Sequence, residues 1–137
     1  MEGDVRKNAL CAIRAAYRSG TMCYRGNVRQ ILTTEDYNET SAWEKALTPI
    51  NQYQNGAYWG TASGWVIYAL FQADKEYFIK MVNEYIDELI EGDYRKGEEY
   101  GSPLECFHPQ ENHRQNPVYM TSVTVPFASL KRLALYG

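Results

Sequence analysis

Cysteine is scarce and odd in number. Cys11, Cys23 and Cys106 are the three in 137 residues, too widely spaced for a disulfide framework. A reducing compartment is the expectation. The start Met-Glu-Gly-Asp-Val-Arg-Lys has no basic stretch leading into an apolar one, so the chain as it stands reads as cytoplasmic, while a parent protein could be secreted or periplasmic. No apolar run approaches the roughly 20 residues that cross a bilayer, and no membrane partner is expected. The 14 Lys and Arg are scattered, and a net charge of −3 with a pI of 5.4 leaves no basic stripe to neutralise phosphates. Nucleic acid is therefore not an expected partner. The chain also lacks a Gly-rich phosphate loop, a nucleophile elbow, a Cys-x-x-Cys and a helical His-x-x-x-His, so no cofactor and no resident metal is expected.

Tyrosine is what the chain has in excess. Twelve tyrosines and three tryptophans stand in a chain whose apolar content, 45%, is ordinary. Large amphipathic rings gather at sugar clefts and protein contacts, and equally at the edges of a core. The length fits one domain, residues 1–137, with a modest core.

Residues 4–18 carry Val5, Ala9, Ala12, Ile13 and Ala16 at helical spacing, with Asp4 as N-cap and Gly20 at the end. The period then fails, and Gly26-Asn27 between Tyr24-Arg25 and Val28-Arg29 predicts a short β-ribbon on a long loop. Ser41-Ala42-Trp43-Glu44 reads as a capping box for a short helix ending before Thr48-Pro49. The segment 61–72 is almost wholly apolar, which predicts a helix buried on most sides, with Trp65 in the core. Asp74 caps a second helix over 75–91, where Phe78, Val82, Tyr85, Ile86 and Leu89 form one stripe and Glu88 and Glu91 fall on other faces. Residues 92–116 read as a long polar loop, and 118–135 as a final helix in which Pro126 makes a kink or marks the true first turn.

Two stretches repeat at a distance of 61 residues: Gln54-Asn55-Gly56-Ala57-Tyr58 and Gln115-Asn116-Pro117-Val118-Tyr119, each just before a predicted helix. Equivalent helices should open on one face, bringing amides and rings together. Such a rim suits sugars, because rings stack on pyranose C–H faces while amides exchange hydrogen bonds with hydroxyls. The run Tyr53-Gln54-Asn55-Gly56-Ala57-Tyr58-Trp59-Gly60-Thr61-Ala62-Ser63-Gly64-Trp65, with Gly101-Ser102-Pro103-Leu104-Glu105-Cys106-Phe107 and the stretch from Gln115 to Ser122, resembles the C-terminal part of six-hairpin glycosidases. The resemblance covers residues 20–135. It implies an all-α architecture, a part of an (α/α) toroid with about two hairpins and the ribbon in a loop, and a carbohydrate-processing role. The chain has room for about a third of such a toroid, so it would contribute part of a cleft, either to glycoside hydrolysis or as a non-catalytic oligosaccharide-binding module. An inactive truncated helical protein that self-associates is the further alternative.

Glycoside hydrolysis needs two carboxyl groups across a sugar. The acids on predicted rim loops are Glu35, Asp36, Glu44, Glu105 and Glu111. Glu105, in an ordered-looking turn after Gly101-Ser102-Pro103, is the first candidate, against the reading of a merely solvated or structural glutamate. Asp36 is the second, though its spacing from Thr33 also fits a helix start. Tyr53, Gln54, Asn55, Tyr58 and Trp59 are the sugar-contact candidates, joined by Arg114, Gln115 and Asn116; the alternative is that these amides make turns and cap helices. Cys106, His108, Glu111 and His113 sit close in sequence, but their spacing is not that of a zinc site. The expected partners are an oligosaccharide or glycoside and, because an apolar inner helix would lack its toroid neighbours, further copies of the chain.

Overall fold

The computed structural model describes residues 2–30, 48–97, 99 and 101–137. Helix α1 (Glu2–Arg18) leads into strands β1 (Cys23–Tyr24) and β2 (Asn27–Arg29), then β3 (Tyr58–Trp59). Helices α2 (Ser63–Ala73) and α3 (Lys75–Glu91) follow, then a 3-10 turn over Tyr94–Lys96, strands β4 (Leu104–His108) and β5 (His113–Pro117), and α4 (Thr121–Tyr136). The strands form one antiparallel sheet in chain order.

The first ribbon turns on Arg25-Gly26, one residue earlier than the sequence indicates, because Tyr24 pairs directly with Asn27. Arg25 at φ 47 and Gly26 at φ 72 both take the left-handed conformation that a two-residue hairpin demands. Gly26 is needed for a second reason: a Cβ there would lie 2.4 Å from the Tyr85 Cβ. The turn thus rests flat on α3, and Ser63 Oγ at the start of α2 donates to the Gly26 carbonyl at 2.7 Å.

Asp74 is the hinge between α2 and α3. Its Oδ1 accepts from the backbone N–H groups of Glu76 and Tyr77, and its single-residue connection sends α3 back along α2, where Phe71 and Phe78 meet edge to face. The core gathers Tyr17 of α1, Met22, Ile67 and Leu70 of α2 and Met81 of α3. Helices α2 and α4 run parallel with their N-termini side by side. Thr61 Oγ1 donates to Thr121 Oγ1 at 3.2 Å, Gly64 lies against Val125, Pro126 and Ser129, and Phe71 reaches Gly137 at the far end. Pro126 sits well inside α4 and is fully buried. It has no N–H to give the Ser122 carbonyl one turn earlier, and the buried Tyr85 hydroxyl supplies that hydrogen bond instead.

This architecture corrects the all-α toroid. Four helices pack with a five-stranded antiparallel sheet among the described residues, so the chain is mixed α and β. Two errors of local reading account for it. The polar stretch 92–116 holds β4 and the start of β5, and all five residues of β4 are buried, so no alternation of apolar and polar residues announces the strand. Tyr58-Trp59, only two residues long, is a strand because it pairs with Cys106-Phe107 far along the chain, a partner that local pattern does not reveal. Trp65 is also corrected: it is 66% exposed, while Ile67 and Leu70 on the opposite side of α2 are fully buried. The rest of the helix is covered by α1, α3 and α4, so that Trp65, Tyr68 and Gln72 form its one exposed stripe. The capping-box helix of residues 41–47 lies outside the described residues.

Candidate functional site

The hairpin of β4 and β5 and the loop before β3 build the first site. Glu105 is only 6% exposed, and its Oε2 accepts from the exposed Asn116 Nδ2 at 2.5 Å across the hairpin. Asn116 adopts φ 47, a conformation asparagine tolerates better than most residues, which delivers its amide to the carboxylate. Tyr53, also left-handed at φ 45, sets its ring 5.1 Å from that of Trp59, and its carbonyl accepts from Trp59 Nε1 at 3.2 Å. The Glu105 charge is the first cause that holds the Tyr53 hydroxyl above its ordinary value of 10.0, so ring pair and carboxylate lie within electrostatic reach of each other.

The backbone N–H of Tyr53 donates to His113 Nε2 at 3.2 Å. That bond requires a neutral ring with its proton on Nδ1, and burial lowers the His113 pKa in the same sense. Cys106 Sγ stands 3.8 Å from the same nitrogen. Burial first, then the Glu105 charge, pushes this thiol up to about 12, so it is not a nucleophilic thiolate at neutral pH. Among the described residues no three His, Cys, Asp or Glu side chains converge as metal ligands.

The sugar-contact candidates divide. Tyr53, Trp59, Glu105 and Asn116 come together. Gln54 is exposed and Gln115 half-buried on β5. Asn55 is 3% exposed and its Nδ2 donates to the Thr48 carbonyl at 2.7 Å, which makes it an internal brace of the loop. Tyr58 is buried among Tyr24, Phe107 and His108 beneath the Arg29 guanidinium. It is a packing residue and offers no face to a ligand. Asp36 lies outside the described residues, as do Glu35 and Glu44.

Arg114 faces elsewhere, into a cavity of about 330 Å³ between the end of α3 and the β4–β5 hairpin. Glu88 and Glu91, one turn apart on α3, contribute carboxylates. Arg25 joins them, with Nε 2.9 Å from Glu88 Oε2 and Nη2 on Glu91. Ser102 Oγ also donates to Glu88, at 3.2 Å. Burial raises the Glu88 carboxyl pKa against the opposing pull of Arg25, Ser102 and Arg114. Sequence reasoning missed this cavity, since Glu88 and Glu91 look like the solvent face of an amphipathic helix. The one local hint is their i, i+3 spacing, which is too common to single them out.

The fold and the two sites define a mixed α/β chain with amide, aromatic and carboxylate groups at its polar surfaces. No family model, no curated protein and no solved structure matches it.

Proposed function

We propose that the chain recognises carbohydrate, contributing part of a sugar-binding cleft. The observation that carries this is the juxtaposition of a buried carboxylate, Glu105, its amide partner Asn116, and the Tyr53–Trp59 ring pair. The rings supply a stacking platform, while the carboxylate and amide supply an acceptor and a donor for vicinal hydroxyls. The resemblance of the Tyr53–Trp65 run to six-hairpin glycosidases supports the same class of ligand. Isothermal titration calorimetry with linear neutral oligosaccharides tests it. Trp59→Ala should weaken binding roughly tenfold, the size of a lost aromatic contact. Absence of binding heat, or undiminished affinity in Trp59→Ala, would remove the proposal.

Hydrolysis is the second reading, supported by a buried carboxylate close to the ring pair. It needs a second carboxyl group across the sugar, a role that falls to Asp36 in the sequence. Glu105→Gln should then abolish turnover of aryl glycosides without unfolding the chain, since the change keeps size and removes the titrating proton. Self-association belongs to the same proposal, with a second copy covering the exposed Trp65 and Phe127 of α2 and α4. Light scattering during size exclusion checks it, and a monodisperse species of 15.8 kDa at micromolar concentration would be the contrary result.

A further inference from the structure

The cavity beside α3 is built differently from the Tyr53–Trp59 side. Arg25 and Arg114 bring two positive charges to its lining, and Glu88 and Glu91 two negative ones. His108 and His113 add none at neutral pH, because burial holds both imidazoles below their ordinary 6.5. The wall is therefore polar with no net charge. Neither an anion nor a cation gains enough there to offset leaving water.

Such a wall offers fixed donors and acceptors in close alternation. The Arg25 guanidinium lies between two carboxylates, with the Ser102 hydroxyl on the far side of one of them. A hydroxyl group donates and accepts at once, so a molecule with several adjacent hydroxyls matches this alternation where a purely anionic or cationic ligand does not. Tyr24, partly exposed, meets Phe107 edge to face at 6.0 Å and gives the lining an aromatic patch for an apolar C–H face. His108 lines the cavity while only 5% exposed, so its ring is packed into the wall and fixed in place. A volume of about 330 Å³ lies at the small end of the range for ligand sites, enough for one six-membered ring.

We infer that this cavity binds a single neutral pyranose or cyclic polyol, at a site separate from the Glu105 cluster. The inference rests on the carbohydrate reading for its ligand class alone.

The chain has two histidines, and both line the cavity, so their imidazole proton resonances are a built-in probe. Methyl α-D-glucopyranoside and myo-inositol should each shift the His108 resonance saturably at millimolar concentration, while glucuronate and inorganic phosphate should not. Glu91→Gln, a change at an exposed end of the lining, should weaken that response about tenfold, and Trp59→Ala should leave it intact. Should Glu91→Gln unfold the chain, the ligand panel on the wild type still decides. A His108 resonance unmoved by both neutral ligands, or moved by glucuronate or phosphate instead, overturns the inference. So does a response lost in Trp59→Ala, which would place the ligand at the first site. If oligosaccharide heat depends on Trp59 while His108 never moves, the first site stands and the cavity falls; if His108 moves and no Trp59-dependent heat exists, the reverse holds.

Discussion

The two helix entrances carry the same Gln-Asn-x-x-Tyr pattern and put it to different uses. At the first, Asn55 is sealed inside the loop and donates to the Thr48 carbonyl, and Tyr58 is locked into a cluster of rings. At the second, Asn116 stands at the surface and donates to Glu105, and Tyr119 is half-buried with its backbone N–H on the Pro103 carbonyl. The helices that follow lie parallel and touching at Thr61 and Thr121, so the entrances are neighbours. The difference comes from what each loop packs on. The first covers the sheet and must satisfy its own buried backbone, whereas the second ends an edge strand whose side chains meet water. A repeated sequence thus fixes where two loops sit without fixing which of their polar groups remains available.

The largest effect should come from separating the entrances. Gly64→Val in α2 would drive a side chain into the Val125 carbonyl, 2.9 Å from where its Cβ must lie, and into the Pro126 Cα at 3.0 Å. We expect a loss of about 3 kcal/mol, the upper end of overpacking, read from urea unfolding; a stable Gly64→Val would show that the α2–α4 contact is not what holds the entrances together. Asn55→Ala should cost about 2 kcal/mol at any pH, since it removes a buried amide and leaves the half-buried Thr48 carbonyl without its donor. Asn116→Gly keeps the left-handed backbone and removes only the amide, so about 1 kcal/mol should be lost at pH 7. That loss should shrink in a Glu105→Gln background, where a neutral amide replaces the carboxylate as acceptor. Equal losses in both backgrounds would mean that Asn116 serves the turn rather than the carboxylate.

Much of the helical half was legible in the sequence. The Asp74 cap, the apolar stripe of α3 and the pairing of the two entrances follow from spacing, because each depends on neighbours a few residues away or on an explicit repeat. The sheet was not legible beyond its first ribbon. β3 exists through hydrogen bonds to a strand nearly 50 residues distant, Cys106 and Phe107 with Trp59 and Tyr58, and β4 hides its period by being buried throughout. Of the site, Glu105 and the rings beside it could be named from residue type. The demotion of Asn55 and Tyr58 to internal roles could not, since burial is a property of what arrives from elsewhere in the chain.

The smallest expected effect is the pH response of the hydrogen bond that ties the first loop to the second hairpin. His108 and His113 have folded pKa values below 6.5, so the unfolded chain takes up protons first as pH falls, and the stability present above that value is lost on the way down. Protonation of His113 also removes the acceptor for the Tyr53 N–H. Glu88, whose carboxyl pKa is raised by burial, works in the opposite sense, favouring the folded state as pH falls toward 4.5. Thermal melts should therefore show a modest fall between pH 7.5 and 5.5 that levels off below. A flat profile through the histidine range would indicate that the two loops are held by packing alone.

The sequence by itself determined the helix boundaries set by Asp74 and the Gly20 region, the two matched entrances, and the chemical repertoire of amides, rings and scattered carboxyl groups, with no basic stripe and no apolar run long enough for a bilayer. These are local properties, fixed by residue type and spacing. Only the tertiary structure decided that α2 leaves Trp65 in water, that Glu88 and Glu91 turn toward Arg25 at the edge of a cavity, and that the Tyr85 hydroxyl answers the carbonyl left open by Pro126. Each of these joins groups far apart in the chain, where the free energy of burial and hydrogen bonding depends on which surfaces meet and not on the residues that flank them.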